Sequence, residues 1–131
     1  AKALETDRGI ETIHLVEADA RALDCARINV PNPRAQMHWA DARTWNVSDG
    51  VDAVITNPPF HTGRVADPDL GRAFIISAAR LLRPKGALWL VANRHLPYEA
   101  TLSDHFGQVQ EISGTGSFKV LHAQRPSRPR A

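Results

Sequence analysis

The residues best suited to chemistry in this chain lie in one stretch, Asn57-Pro58-Pro59-Phe60. The side-chain oxygen of Asn57 and the backbone carbonyl of Pro58 are both hydrogen-bond acceptors. Pro59 has a fixed φ and restricts Pro58, so that carbonyl is expected to point in a set direction. Two such acceptors can hold both N–H bonds of an amino group, and Phe60 can stack on a planar ring. The stretch therefore predicts a binding site for a flat ligand that carries an amino group.

The elements before this motif place it at the end of a strand. Residues 51–56 predict a buried strand, and Asn57 follows it directly. Glu17 follows a strand predicted over residues 12–16, and Asp41 follows one predicted over residues 35–40. In open α/β sheets ligands bind at the carboxyl ends of the strands. Three polar residues placed alike on three consecutive strands predict one shared site.

The remaining pattern alternates helices with strands and closes with a hairpin. A long loop is predicted from Asn57 to about Ala66. Such an order predicts an α/β fold with a Rossmann-like, mostly parallel sheet and an antiparallel end. Residues 1–8 are predicted to be the end of a helix. Further helices are predicted over residues 20–30, capped by Asp19, over residues 68–82, capped by Asp67, and over residues 97–106, and residues 83–86 are predicted to end the second of these. Later strands are predicted over residues 87–92, 108–113 and 118–124, the last two joined by a turn at residues 114–117.

The length of 131 residues suits one domain, predicted over residues 1–124. Residues 125–131 are basic and rich in proline, which predicts a disordered tail. No apolar run is long enough to span a bilayer. The net charge of +2 is compatible with a polyanionic partner.

Cysteine and tryptophan give further expectations. Cys25 is the only cysteine, which excludes a disulfide framework and favours the cytoplasm. Cys25 is expected in the core, because an isolated cysteine behaves as a small hydrophobe. Trp39 and Trp89 lie in predicted strands and are expected to be core residues as well.

The run from Asp52 to Gly63, DAVITNPPFHTG, resembles the fourth motif of class I S-adenosylmethionine-dependent methyltransferases that act on amino groups. The Phe60-His61 continuation resembles the branch that methylates guanine N2 in small-subunit ribosomal RNA. Residues 91–98 and 118–121 resemble that branch too, and the resemblance covers about residues 12–123. It implies S-adenosylmethionine as the cofactor, ribosomal RNA as the partner, and direct methyl transfer without a metal.

The resemblance also implies roles for the residues at the strand ends. Glu17 matches the acidic residue that accepts hydrogen bonds from the cofactor ribose, and Asp41 matches the one that approaches the adenine amino group. Ala42 can offer its backbone amide to the adenine. A solvated loop acid is the alternative for Glu17, and a helix cap or turn residue is the alternative for Asp41.

On the substrate side, Asn57, Pro58 and Pro59 are implied to orient the amino group, and Phe60 to stack on the base. His61 can shape the loop or contact RNA, and Arg64 can reach a phosphate. Both are also common as surface or loop-bracing residues. Arginines of the tail can hold the RNA backbone, with a solvated tail as the alternative: Arg125, Arg128 and Arg130.

The family places a first, central strand and a glycine-rich cofactor loop before the segment that begins here. No Gly-x-Gly pattern follows a strand before Glu17. The chain is therefore expected to be the carboxyl-terminal part of a methyltransferase, with a gap between the strands at residues 12–16 and 51–56. This chain alone is expected to bind S-adenosylmethionine weakly or not at all, which calorimetric titration tests.

Two alternatives remain open. Within the same chemistry the target can be adenine N6 or a glutamine amide, although those branches more often resemble a motif ending in Tyr than in Phe. From a different class, the chain can be a non-catalytic RNA-binding module that kept the fold and lost the cofactor loop.

Overall fold

The computed structural model describes residues 9–59, 61–62 and 65–127. The chain divides into two compact units, one ending at Trp45 and one beginning at Asn46. The helix predicted over residues 1–8 lies outside the described residues. None of the described helices is long and apolar enough to cross a membrane.

The first unit is a strand–helix–strand segment: β1 (Ile13–Glu17), α1 (Ala20–Asn29) and β2 (Ala35–Trp39). β1 and β2 pair in parallel, from Ile13 opposite Ala35 to Glu17 opposite Trp39. Asp19 caps α1 by accepting a hydrogen bond from the Arg21 amide over 2.8 Å. Leu23 and Val30, on the apolar side of this segment, are buried. The strands and the capped helix predicted for this region are confirmed.

The second unit holds a four-stranded sheet in the order β3-β6-β8-β7. β3 and β6 are parallel, whereas β8 is antiparallel to both β6 and β7. The elements of this unit are β3 (Val51–Thr56), β4 (His61–Thr62), β5 (Val65–Ala66), α2 (Pro68–Leu81), β6 (Leu82–Asn93), α3 (Tyr98–His105), β7 (Phe106–Gly114) and β8 (Phe118–Pro126).

The core of the second unit lies between one face of this sheet and the helices α2 and α3. Leu88 and Leu90 of β6, Leu121 of β8, Ile75 of α2 and Leu102 of α3 are all almost completely buried there. The β6 side chains at alternate positions therefore face this core, as the two-residue period of a strand requires. The mixed parallel and antiparallel sheet confirms the predicted fold class.

Some predicted boundaries are wrong. β6 begins at Leu82, so residues 83–86, predicted to end the preceding helix, belong to the strand. The register of β3 against β6 shifts between Val51 and Ala53, and this irregularity accommodates Pro84, which has no N–H to donate. The predicted loop from Asn57 to Ala66 contains the short antiparallel pair of β4 and β5. β8 reaches Pro126, two residues into the predicted tail.

Two residues predicted for the core are exposed. Cys25 lies two residues after buried Leu23 on α1, which turns it to the opposite side of the helix. Trp39 is 71% exposed at the end of β2, where its indole N–H donates to the Ala18 carbonyl over 2.9 Å. Trp89 is half-buried, with its ring 4.9 Å from that of His122. Long-range packing, which the local pattern does not encode, decides these positions.

Candidate functional site

The stretch Asn57-Pro58-Pro59-Phe60, called the acceptor motif below, begins where β3 ends. Thr56, the last residue of β3, lies opposite Leu90 of β6, and Asn57 follows at the carboxyl end of the sheet's parallel pair. Asn57 is exposed, Pro58 is buried and Pro59 is exposed. The motif is therefore anchored through Pro58 while the Asn57 amide faces the surroundings, an arrangement that leaves its oxygen available to an amino group.

The rest of the motif is only partly covered by the structure. Phe60 and Arg64, predicted to stack on a base and to reach a phosphate, lie outside the described residues. The backbone of His61 belongs to β4, opposite Ala66 of β5. The predicted roles of these residues remain predictions.

Glu17 is the last residue of β1, as predicted, and is half-buried. Its Oε1 accepts a hydrogen bond from the Asp19 amide over 3.1 Å. Its Oε2 accepts no hydrogen bond from the part of the chain that the structure describes. One carboxylate oxygen is thus held in place and the other is available, which suits a pair of adjacent hydroxyl groups.

Asp41 lies two residues after the end of β2, because the strand is one residue shorter than predicted, and its carboxylate is already engaged. Oδ1 accepts from the Arg43 amide over 2.8 Å, and Oδ2 accepts from Arg43 Nη2 over 2.7 Å. The hydrogen bonds from Arg43 hold the pKa of Asp41 below its usual value. Half-buried Ala42 lies between the two partners. Asp41 therefore stays ionised, and its further contacts depend on the lone pairs that Arg43 leaves.

Glu17 and Asp41 are brought to the same end of the first unit. The Ala40 amide, next to Asp41, donates to the Glu17 carbonyl over 3.1 Å, so the two strand ends are directly joined. Asn57 and Pro58 occupy the corresponding strand end in the second unit. The carboxyl-end placement predicted for all three polar residues is thus found within each unit.

Two features of this region are not expected from the sequence pattern. One is Arg43, whose Asp-x-Arg spacing is the only local signal of the ion pair with Asp41. The other is a ring cluster in the first unit, in which His14 Nδ1 and His38 Nε2 are 3.0 Å apart and Trp45 lies 4.8 Å from His38 between ring centroids. Burial and the neighbouring His38 lower the pKa of His14.

Comparison with known proteins places the chain in a family. The family described as "Methyltransferase small domain" matches residues 1–122. The chain belongs to the methyltransferase small domain family. The predicted resemblance to methyltransferases is confirmed by this match.

Several relatives of this methyltransferase domain are named as ribosomal RNA methyltransferases. The chain is 48% identical over 79 residues to the ribosomal RNA small subunit methyltransferase C of Hahella chejuensis, covering 60% of the chain and 23% of the relative. It is 33% identical over 120 residues to the ribosomal RNA large subunit methyltransferase G of Shewanella sp. (strain MR-4), covering 86% and 32%. The domain thus spans about a quarter to a third of the length of these relatives.

Solved structures share the fold of this methyltransferase domain. The structure of the T. thermophilus 16S rRNA N2 methyltransferase RsmC, in complex with AdoMet and guanosine, superposes with a TM-score of 0.72 at 29% identity. It covers 87% of this chain and 31% of that protein. The N-methyltransferase NodS from Bradyrhizobium japonicum matches with a TM-score of 0.68 at 12% identity, covering 88% and 67%.

Proposed function

We propose that the protein containing this chain transfers a methyl group from S-adenosylmethionine to the N2 amino group of guanine in small-subunit ribosomal RNA. The observation that carries the proposal is the Asn57-Pro58 pair at the carboxyl end of β3, with Asn57 exposed and Pro58 buried. Further support comes from the names of the relatives and from the guanosine in the RsmC complex.

The motif suits an aryl amine because such an amine is a weak nucleophile. Its lone pair is delocalised into the ring, so a site that favours a pyramidal nitrogen lowers the barrier selectively in the transition state. The Asn57 Oδ1 and the Pro58 carbonyl accept hydrogen bonds from the two N–H groups of the amine. These bonds direct the lone pair of the nitrogen out of the ring plane. Phe60 stacks on the base. The released proton passes to water, so no side chain has to act as a base.

The first unit supplies the cofactor contacts. When bound, S-adenosylmethionine supplies an electrophilic methyl group. The Oε2 of Glu17, to which no described residue donates, fits the ribose hydroxyls, because one carboxylate can accept from both. Asp41 accepts from the adenine amino group through a lone pair not used by Arg43, and Ala42 presents its backbone amide to the ring. His61 and Arg64 contact the RNA next to the target base.

A second candidate differs in the ribosomal subunit. The relative from Shewanella sp. is named a large subunit methyltransferase and matches 86% of the chain, a longer stretch than the small-subunit relative from Hahella chejuensis. The same acceptor motif would then serve a base in large-subunit RNA. Methylation of separated small and large subunits, followed by nucleoside digestion and mass spectrometry, decides between the two.

The test of the acceptor role is an Asn57→Ala substitution in the full-length protein. Removing the amide oxygen is expected to lower methyl transfer about 100-fold, the scale seen when one preorganised hydrogen-bonding group is lost. Asn46→Ala removes another exposed asparagine amide, at the amino-terminal side of β3, and is expected to retain full activity. The thermal midpoint of both variants is expected to match that of the parent protein.

The same assay separates the alternatives. Unchanged transfer in Asn57→Ala would contradict the catalytic role of the motif and favour a non-catalytic RNA-binding module. A product of N6-methyladenine or methylated glutamine would contradict the choice of guanine while retaining the methyltransferase chemistry.

A further inference from the structure

A polar cleft of about 410 Å³ lies in the second unit, away from the acceptor motif. It is lined by Pro84 and Lys85 of β6, Gln108 of β7, and Gln124 and Arg125 of β8. Lys85 precedes Leu90, the partner of Thr56, by five residues along β6. At the rise of a strand this is roughly 16 Å. The cleft is therefore at the opposite end of the sheet from Asn57.

The cleft contains two cations and no carboxylate among its lining residues. Neither Lys85 nor Arg125 forms an ion pair or side-chain hydrogen bond with any residue that the structure describes. Two other arginines of the same sheet and its connections differ in this respect, since Arg83 pairs with Asp52 and Arg94 with Glu111. The positive charge of the cleft is thus not neutralised within the described chain.

The backbone holds Arg125 in an unusual conformation. Its φ of +59° makes it the single described non-glycine residue in the left-handed region, which is unfavourable for residues with a β-carbon. Its side chain lies over Gly107, where an added β-carbon would be 3.2 Å from Arg125 Cβ and 3.5 Å from Cδ. Glycine would adopt this backbone with less strain. A strained position that carries a cation beside a polar cleft is typical of a binding function.

We propose that this cleft binds the phosphodiester backbone of the RNA substrate. Arg125 can hold one phosphate through two parallel N–H bonds, and Lys85 supplies a compact charge beside it. The amides of Gln108 and Gln124 can donate to phosphate or accept from a ribose hydroxyl. The contact orients the RNA without reading its sequence. The inference rests on the proposed function for the kind of polymer bound.

The experiment measures binding of a fluorescein-labelled 20-nucleotide RNA hairpin to the full-length protein across a series of salt concentrations. Lys85→Gln and Arg125→Gln are each expected to weaken binding about threefold at low salt, and about tenfold together. Each substitution is expected to reduce the slope of log affinity against log salt by about 0.7 to 0.9. Arg125→Lys is expected to keep most of the affinity, because the charge remains.

Two further variants test whether a loss of RNA binding comes from altered folding or from the change in net charge alone. Arg125→Gly is expected to weaken RNA binding as Arg125→Gln does, while its thermal midpoint is unchanged or higher because backbone strain is relieved. A purely structural role for Arg125 would instead lower the midpoint. Arg21→Gln removes an exposed cation of α1, outside the cleft, whose side chain pairs with none of the described residues, and it is expected to leave binding unchanged.

Normal affinity and salt slope in the double variant would overturn the inference. An equal loss in Arg21→Gln would overturn it too, because net charge alone would then explain the effect. If the parent protein methylates guanine in ribosomal RNA while the double variant binds the hairpin normally, only the cleft inference fails. If the parent protein methylates no RNA guanine, the proposed function fails, whatever the hairpin measurement shows.

Discussion

The hydroxyl oxygen of Tyr98 packs directly against Gly71, so that a β-carbon at Gly71 would overlap it. Tyr98 is the first residue of α3 and is completely buried, and Gly71 lies near the start of α2. The hydroxyl has no hydrogen-bond partner among the described residues, and burial raises the pKa of Tyr98. Steric fit, rather than a hydrogen bond, therefore sets the approach of the two helices.

Substitution of Gly71 tests this fit. Gly71→Ala is expected to destabilise the protein by about 1 to 3 kcal/mol through overpacking, although alanine is intrinsically the better helix former by about 1 kcal/mol. Tyr98→Phe is expected to change stability by less than about 1 kcal/mol, because the removed hydroxyl is buried and unpaired. Urea denaturation of both variants and of the double variant measures these differences.

The double variant is expected to recover only part of the lost stability. Removing the hydroxyl relieves its overlap with the added methyl group, but the ring carbons of residue 98 still lie close to that methyl group. A Gly71→Ala variant more stable than the parent would show that α2 and α3 are not in steric contact at this point.

The segment at residues 118–121, which resembles the RNA-methylating branch, contributes one buried side chain to an ion pair. Lys119 of β8 has a side chain that is 4% exposed, and its Nζ donates to the Leu96 carbonyl over 2.6 Å and to Glu99 Oε1 over 2.5 Å. Glu99 is half-exposed. The pair ties β8 to the first turn of α3, so Lys119 has a structural role.

We expect removal of the Glu99 carboxylate to destabilise the protein more than removal of the Lys119 ammonium group. Glu99→Ala leaves a buried ammonium group without its counter-charge, which is expected to destabilise the protein by about 1 to 3 kcal/mol. Lys119→Met keeps the apolar stem, and the Leu96 carbonyl still accepts from the Tyr98 amide over 3.0 Å. Its effect is expected to stay below about 1 kcal/mol. Guanidinium denaturation curves of both variants provide the comparison.

Glu111→Ala is the matched control, because the Arg94–Glu111 pair is about 40% exposed on both sides. Exposed pairs contribute less than about 1 kcal/mol. A larger effect for Lys119→Met than for Glu99→Ala would contradict the burial argument.

The His14–His38 contact predicts a pH dependence of stability. The pKa of His14 is lowered in the folded protein by burial and by His38, whereas a histidine in the unfolded chain has a pKa of about 6.5. The unfolded state therefore binds the proton more readily, and the contribution of His14 is complete above about pH 6.5 and is lost as the pH falls below it. The parent protein should lose more thermal stability between pH 7.5 and 5.5 than His14→Gln does.

Thermal midpoints at several pH values measure this difference. His95→Gln removes an exposed histidine of the second unit and is expected to keep the parent's pH dependence. A parallel pH profile for His14→Gln and the parent would show that the His14 pair does not contribute to acid sensitivity.

Local features were predicted well because neighbouring residues determine them. The bounds of β3 match the predicted run of residues 51–56, and Asp67 caps α2 before Pro68 as expected. The hairpin turn at residues 114–117 closes through the Thr115 amide and the Phe118 carbonyl over 2.8 Å. The prediction of core positions for Cys25 and Trp39 is wrong, because their exposure depends on what packs against α1 and β2.

The sequence by itself determined the acceptor motif, the acidic residues at the strand ends and the α/β order, since these depend on residue type and short-range spacing. Only the tertiary structure decided that Asp41 is ion-paired with Arg43, while one oxygen of Glu17 accepts from no residue in the described ranges. It alone brought Lys85 and Arg125, forty residues apart in the chain, to one cleft. The physical reason is that strand pairing and side-chain packing join residues distant in sequence, and these contacts set which charges are neutralised.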